Sequence, residues 1–378
     1  MRYYIISGEP SGDLHGSNLI KSIKKLDSQA TIRAWGGDLM QTAGADLAKH
    51  YRDLAFMGIW QVLKNLGTIR KNFRFCEADI QEFAPDTLIL IDYSGFNLRI
   101  ARWAKEQEYK VIYYISPQVW ATREKRVRKI KQYVDKMFVI LPFEKEFYAK
   151  HEYPVEYVGH PLLDVVQQFQ PNPDFRTSQK LGNQPIIALL PGSRKQEILA
   201  MLNVMLSLVP LFPDYQFVIA GAPSMPPSFY QQFTQQYSQV TLVENQTYDL
   251  LSNSHAALVT SGTATLETAL FKVPQVVCYK ASALLYHVVK RIIKIPYIAI
   301  VNLIVGKEIV KELIQHELNT EQLQTELSKL LEGTARIELL TEYDHLHKLL
   351  GSSGASDRAA KGILDFLENK KELPEGNS

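Results

Sequence analysis

Residues 186–197 read IIALLPGSRKQE. The run Ile186–Leu190 is apolar throughout and too short for a helix, as expected of a parallel strand buried on both faces. Pro191-Gly192 ends it. Ile198, Leu202, Met205, Leu206 and Val209 then recur at helical spacing behind a helix start near Ser193 or Arg194. Strand, glycine turn and helix N-terminus leave N–H groups aimed at one point, which suits a phosphate. Arg194 adds a planar fork of donors. An ordinary βα corner with a surface arginine would read the same way.

The pattern repeats on both sides. At the start of the chain, RYYIIS (2–7) runs into GEPSGDLHGS, with Gly8, Gly12 and Gly16 four residues apart and Leu19, Ile20, Ile23 and Leu26 marking the next helix. This is not GxGxxG, so no dinucleotide fingerprint is present. Glu9, Ser11 and Asp13 offer polar contacts to a ligand; Ser11 or Asp13 serves equally as a helix cap. Further strands are expected at Thr31–Trp35, Thr87–Asp92, Val111–Ile115, Met137–Leu141 and Val155–Val158. Asp92 ends a buried strand, where ligands gather in open α/β sheets, or caps the helix beginning near Phe96. After Ile186–Leu190 the alternation continues with strands at Gln216–Ala220, Val240–Val243, Ala256–Thr260 and Gln275–Tyr279. Ser261-Gly262-Thr263-Ala264 forms a second loaded loop, with Glu267 one turn into its helix. Beyond Ser282 the chain reads as helical, with residues 370–378 frayed.

Two successive alternations joined by a polar segment imply an α/β protein of two doubly wound domains facing across a cleft. The expected divisions are 1–165, a linker at 166–185 rich in Gln, Pro, Asn and Asp, a second domain at 186–345, and a C-terminal helix at 346–378 that packs back on the first domain or on a partner. The totals agree: 378 residues suffice for two cores, and 46% apolar with 22% charged residues is a globular composition. A net charge of +2 is too small to argue for nucleic acid. Cys76 and Cys278 are isolated, which gives neither a disulfide framework nor a zinc site and favours a reducing compartment. No signal-peptide pattern opens the chain, and its longest apolar run near Pro296–Val305 is shorter than the ~18 residues a spanning helix needs. A cytoplasmic protein that rests on a membrane without crossing it is expected.

Two segments have an apolar or basic excess. Phe56–Leu66 carries Phe56, Met57, Ile59, Trp60, Leu63 and Leu66, more than one helical stripe, and reads as a core helix or a lipid-facing patch. Arg123–Lys131 holds six basic residues, Arg123 and Arg126 among them, against Glu124 alone. It reads as a solvated face or as a docking site for phosphates and anionic head groups.

A nucleotide-sugar site needs donors and a cation for the pyrophosphate, found at Gly192-Ser193-Arg194 and Gly262-Thr263-Ala264, and a carboxylate for the ribose, found at Glu267. No Asp-x-Asp pair occurs, which favours a site that needs no metal or other cofactor. Asp92 and Glu9 are the candidate bases.

GEPSGDLHG, FMGIWQVL, IDYSGFN, SPQVWATREKRV, LPFEKEFY, VGHPLLD, LLPGSR, SGTATLE and NLIVGKEIVKELIQ, in this order over about residues 3–320, resemble the lipid-A-disaccharide synthases. The resemblance implies a GT-B fold and an inverting, metal-independent transferase joining UDP-2,3-diacylglucosamine to 2,3-diacylglucosamine 1-phosphate. The family's base falls on Asp92, and its other polar residues on Glu9, Ser11, Arg194, Glu267 and Asn302. Gly95 stands where the family has a second acid, so that carboxylate is not essential. The family is peripheral to the inner membrane, which makes Phe56, Met57, Ile59 and Trp60 an acyl-chain entry and Arg123 and Arg126 contacts for lipid phosphates. Some members exchange C-terminal elements between subunits, which raises a homodimer. A UDP-N-acetylglucosamine 2-epimerase of the same architecture is the rival; a nucleic-acid binder using 123–131 is a second, predicting strongly salt-dependent binding.

Overall fold

The structure, a computed structural model, describes residues 1–54, 66–237, 239–281 and 295–369. They divide into two compact units, Met1–Asp164 together with the chain from Ser352, and Val165–Gly351. The apolar and basic segments expected to meet lipid part company here: Phe56, Met57, Ile59 and Trp60 lie outside the described residues, whereas Arg123 and Arg126 lie within them.

The first unit holds a seven-stranded sheet in the order β3-β2-β1-β4-β5-β6-β7. Its strands are β1 Arg2–Ile6, β2 Thr31–Gly36, β3 Asp46–His50, β4 Thr87–Ile91, β5 Lys110–Tyr114, β6 Lys136–Val139 and β7 Glu156–Tyr157. The second unit holds six, ordered β10-β9-β8-β11-β12-β13: β8 Ile186–Leu190, β9 Gln216–Gly221, β10 Thr241–Glu244, β11 Ser254–Thr260, β12 Gln275–Tyr279 and β13 Glu312–Ile314. All neighbours run parallel. In each sheet the winding reverses at one place, between β1 and β4 and between β8 and β11. In open α/β sheets ligands bind outside the carboxyl ends of the strands at such switch points, where the connections leave toward opposite faces.

The central strands are buried on both faces, which explains their unbroken apolar composition. β1 carries tyrosines, and their hydroxyls are satisfied inside. The Tyr4 hydroxyl donates to Asp79 at 2.5 Å and accepts from the Trp35 indole at 2.9 Å, while Asp79 also pairs with Arg33. Two strands go beyond the sequence reading. β3 and β13 are short edge strands carrying charged residues, too polar to show strand periodicity. β13 also corrects the expectation that the chain is helical throughout beyond Ser282.

The helices used below are α1 Pro10–Leu26, α2 Asp38–Thr42, α3 Ser94–Glu106, α4 Val127–Tyr133, α5 Lys195–Leu206, α6 Thr263–Leu270, α7 Ile300–Val305, α8 Thr334–Leu350 and α9 Ala355–Asn369. The segment read as a linker is not free chain: Phe175 is buried in the second unit's core, and the Asn172 N–H donates to Asp249 at 2.7 Å. The expected boundary at residue 345 falls inside α8, which runs on to Leu350.

α9 packs on α1 within the first unit. Asp164 caps it from far away in sequence: one carboxylate accepts from the N–H groups of Gly354, Ala355 and Ser356. Ser22 and Lys25 of α1 meet Asp357, and Arg358 donates to the carbonyl of Val158 at 2.8 Å. Asp164→Ala would strand three N–H groups and should cost about 2 kcal/mol. The expected outcome is a melting temperature lower by roughly 4–8 °C, with Asp164→Asn intermediate because it keeps one acceptor.

Candidate functional site

The first unit's switch point is built from the ends of β1 and β4. Ile6 and Leu90 are paired across it, so the loops beginning at Ser7 and Asp92 leave side by side. Asp92 and Tyr93 both adopt left-handed backbone angles, with φ of 41° and 47°, as does Ile115 at the end of β5 with φ of 65°. Such angles cost non-glycine residues on the order of 1–3 kcal/mol each and persist only where surrounding bonds hold them. The bonds are present. The Asn97 amide donates to the carbonyls of Ile91 and Asp92 at 3.1 and 2.9 Å, the Tyr113 hydroxyl donates to the Asp92 carbonyl, and the Asp92 N–H reaches the Ile115 carbonyl at 3.2 Å.

This backbone turns the Asp92 carboxyl away from a capping role: α3 starts behind Tyr93 with no side-chain cap. Burial, then the nearby Glu9 charge, raises the Asp92 pKa to about 6, against a smaller opposing bond from the Tyr93 N–H. The Tyr93 ring lies on Gly8, where a Cβ would come within 2.5 Å of it. Glu9, Asp92 and Tyr93 are thus one cluster. Glu9 and Ser11 at the start of α1 are exposed. Asp13 is not ligand-facing: it accepts from the N–H groups of Gly37, Leu39 and Met40 and so caps α2 rather than its own helix.

In the second unit the ends of β8 and β11 are likewise paired, Leu190 with Val259. Gly192 has φ of 111°, and a Cβ there would meet Glu197 Oε2 at 2.7 Å, so only glycine fits this turn. α5 begins one residue later than the spacing suggests, with Arg194 as its N-cap. The Glu197 carboxylate takes both the Arg194 N–H at 3.3 Å and its guanidinium at 2.8 Å. Arg194 is exposed and Glu197 half-buried, so the pair contributes little to stability. Gly262 is the N-cap of α6, leaving the N–H groups of Thr263 and Ala264 without helical acceptors. Glu267 sits a turn further on, its pKa raised by burial, with Oε1 accepting from the Tyr248 hydroxyl at 2.8 Å.

Asn302 does not join this group. Its Nδ2 donates to the Val310 carbonyl and to Glu312 at 2.9 and 2.8 Å, and its Oδ1 accepts from the N–H groups of Ile309 and Val310 at 2.8 and 3.0 Å. Fully buried, it has nothing left for a nucleotide. Its place is to join α7 to the strand β13, whose Glu312 accepts from Ile298 and Ala299.

The family model for lipid-A-disaccharide synthetase matches residues 3–362. The chain belongs to that family. A lipid-A-disaccharide synthase from Geobacter metallireducens is 37% identical over 98% of each chain, and one from Syntrophus aciditrophicus is 39% identical over 96% of this chain and 97% of its own. Among solved structures, a UDP-GlcNAc 2-epimerase from Neisseria meningitidis bound to UDP-GlcNAc superposes with a TM-score of 0.69, covering 97% of this chain and 100% of that one at 14% identity. The calicheamicin glycosyltransferase CalG4 does so with 0.59, covering 98% of both at 15% identity. These structures share the fold; at such identity they say nothing of activity, and the epimerase reading is not favoured. The chain is a GT-B glycosyltransferase of lipid A biosynthesis.

The sequence reading missed Tyr93, Asn97, Tyr113 and Tyr248. Asn97 closes the motif IDYSGFN and was legible as its last polar residue; the tyrosines carried no local signal.

The raised Asp92 pKa has a stability consequence whose sign is fixed by linkage. The folded state holds this proton more tightly than the unfolded chain, so ionised Asp92 opposes folding above pH 6, by at most ~3 kcal/mol, and the penalty vanishes as pH falls toward the free value near 4. Asp92→Asn should therefore melt higher than the native protein at pH 7.5, with the gap shrinking steadily toward pH 4 in thermal scans.

Proposed function

We propose that the chain transfers the 2,3-diacylglucosaminyl group of UDP-2,3-diacylglucosamine to the 6-hydroxyl of 2,3-diacylglucosamine 1-phosphate, giving the β-1,6 disaccharide 1-phosphate and UDP. The observation that carries this reading is the half-buried carboxylate with a pKa near 6 at the first unit's switch point, in a chain of this family. Asp92 takes the hydroxyl proton as the oxygen attacks the anomeric carbon from the face opposite the diphosphate, and the bond to the diphosphate oxygen breaks. Burial, and then like-charge repulsion from Glu9, keeps the base near neutrality. Arg194, released from Glu197, and the N–H groups of Ser193, Thr263 and Ala264 receive the charge that grows on UDP, in the role a metal fills elsewhere. Glu267, oriented by Tyr248, accepts from the ribose. Asn302 acts by positioning α7.

The family's lipid-sugar substrates also support peripheral attachment to the cytoplasmic face of the inner membrane, with Phe56, Met57, Ile59 and Trp60 meeting acyl chains and the exposed cations at Arg123, Lys125, Arg128 and Lys129 meeting anionic head groups. Among the described residues no helix is long and apolar enough to cross a membrane. A homodimer belongs to the same reading.

Mass spectrometry of products from the two acylated sugars tests the activity. A disaccharide 1-phosphate is expected, and epimerisation of UDP-N-acetylglucosamine in its place would sink the proposal. Asp92→Asn should lose ~10²–10⁴-fold in kcat with UDP affinity retained, and the native kcat/KM should fall tenfold per unit below about pH 6. Tyr248→Phe removes a bond to a charged group and should raise the donor KM about tenfold. It should also narrow the preference for UDP over 2′-deoxy-UDP in inhibition assays.

A further inference from the structure

Of the six cations between Arg123 and Lys131, five are exposed and one is not. Arg126 is half-buried, and its Nη1 donates to the Ser94 hydroxyl at 3.1 Å. Ser94 opens α3, two residues after Asp92. Arg99, five residues further along α3, lies over the Phe73 ring at 5.3 Å, and its charge, like that of Arg123, acts on Arg126. Among the described residues none of these three arginines has a carboxylate within ion-pair distance, although elsewhere in this unit Arg33, Arg52 and Arg102 each do. Burial and repulsion from Arg123 and Arg99 hold the Arg126 pKa below its usual value. The charges of Arg123 and Arg99 act on the half-buried Arg126 guanidinium with no ion-paired carboxylate among the described residues to compensate them, and a dianion would relieve that repulsion.

We propose that Arg126, Ser94 and Arg99 form a subsite for the phosphate monoester of the acceptor sugar. It rests on the reaction proposed above and adds the group that orients the acceptor. Because Ser94 stands two residues after Asp92, a phosphate held by Arg126 would anchor the acceptor beside the loop that carries Asp92. The guanidinium already has its fork aligned by Ser94, leaving the second nitrogen edge for bidentate contact with phosphate oxygens.

The test pairs the residue with the phosphate. Native protein and Arg126→Ala are assayed with 2,3-diacylglucosamine 1-phosphate and with the same sugar lacking phosphate, with donor KM and melting temperature as controls. The native enzyme should prefer the phosphorylated acceptor by roughly 10- to 100-fold in kcat/KM, and the variant should lose that preference at unchanged donor KM. Arg126→Lys, which keeps charge but not the fork, should recover only part of it. A variant that discriminates as the native enzyme does overturns the subsite. So does a variant that loses only its binding to phosphatidylglycerol vesicles, which would assign Arg126 to bilayer head groups. Should the native protein make no disaccharide from either acceptor, the reaction itself is refuted. Calorimetry with glucosamine 1-phosphate then decides the subsite separately, upheld by binding that Arg126→Ala abolishes and overturned by its absence.

Discussion

Parallel pairing of β1 with β4 and of β8 with β11 is the constraint on which the rest of the molecule depends. Parallel neighbours cannot be joined by a hairpin, so each connection crosses over a face of the sheet through a helix and every strand points the same way. Both faces are then covered, and the strands between them become apolar throughout. Polar chemistry is driven to the strand ends, and at the one place where the winding reverses, two loops diverge and leave room for a ligand. Glu9 and Asp92 stand at that place in the first sheet, and Arg194 and Glu267 in the second.

The first of these places is held under tension. Three residues without the freedom of glycine sit in left-handed backbone angles at the ends of β4 and β5, and a carboxylate is kept half-buried beside another acid. Neither feature favours folding. Both are offset by a local set of hydrogen bonds from Asn97 and Tyr113 to the Asp92 backbone and by the covered sheet beneath. The raised Asp92 pKa and its cost to folding at neutral pH therefore have one main physical origin: a charge denied full access to water. In the second unit the same theme is milder. Glu267 is buried, yet Tyr248 supplies one bond to it, and the Tyr248 ring is itself packed against Phe169 and Phe271. The segment that reads as a polar linker thus contributes an aromatic support, Phe169, to the Tyr248–Glu267 pair of its own unit.

The boundaries of the two units follow hydrogen bonding rather than chain order. A single carboxylate, Asp164, gathers the N–H groups at the start of α9 and returns the end of the chain to the unit in which it began. Asp13 does the same for α2. In both cases an acid that would be read as a cap for its own neighbourhood serves a helix elsewhere, because the donors at any helix start accept whichever carboxylate the fold brings near.

The amino-acid sequence by itself determined the alternation of strands and helices, the two glycine-bearing loops and the candidacy of Glu9, Asp92, Arg194 and Glu267. All of these follow from local rules, in which apolar runs, turn residues and helix starts are legible within ten or fifteen positions. It did not show the edge strands β3 and β13, whose mixed polarity hides their period, nor the use to which most polar residues are put. The family resemblance puts Asn302 among the site's polar residues, but four hydrogen bonds consume its amide. Tyr248 and Glu267, Arg126 and Ser94, and Asp164 and Gly354 are joined across 19, 32 and 190 positions. Only the tertiary structure decided those pairings, because a hydrogen bond depends on where two groups end up in space, and separation along the chain carries no record of it.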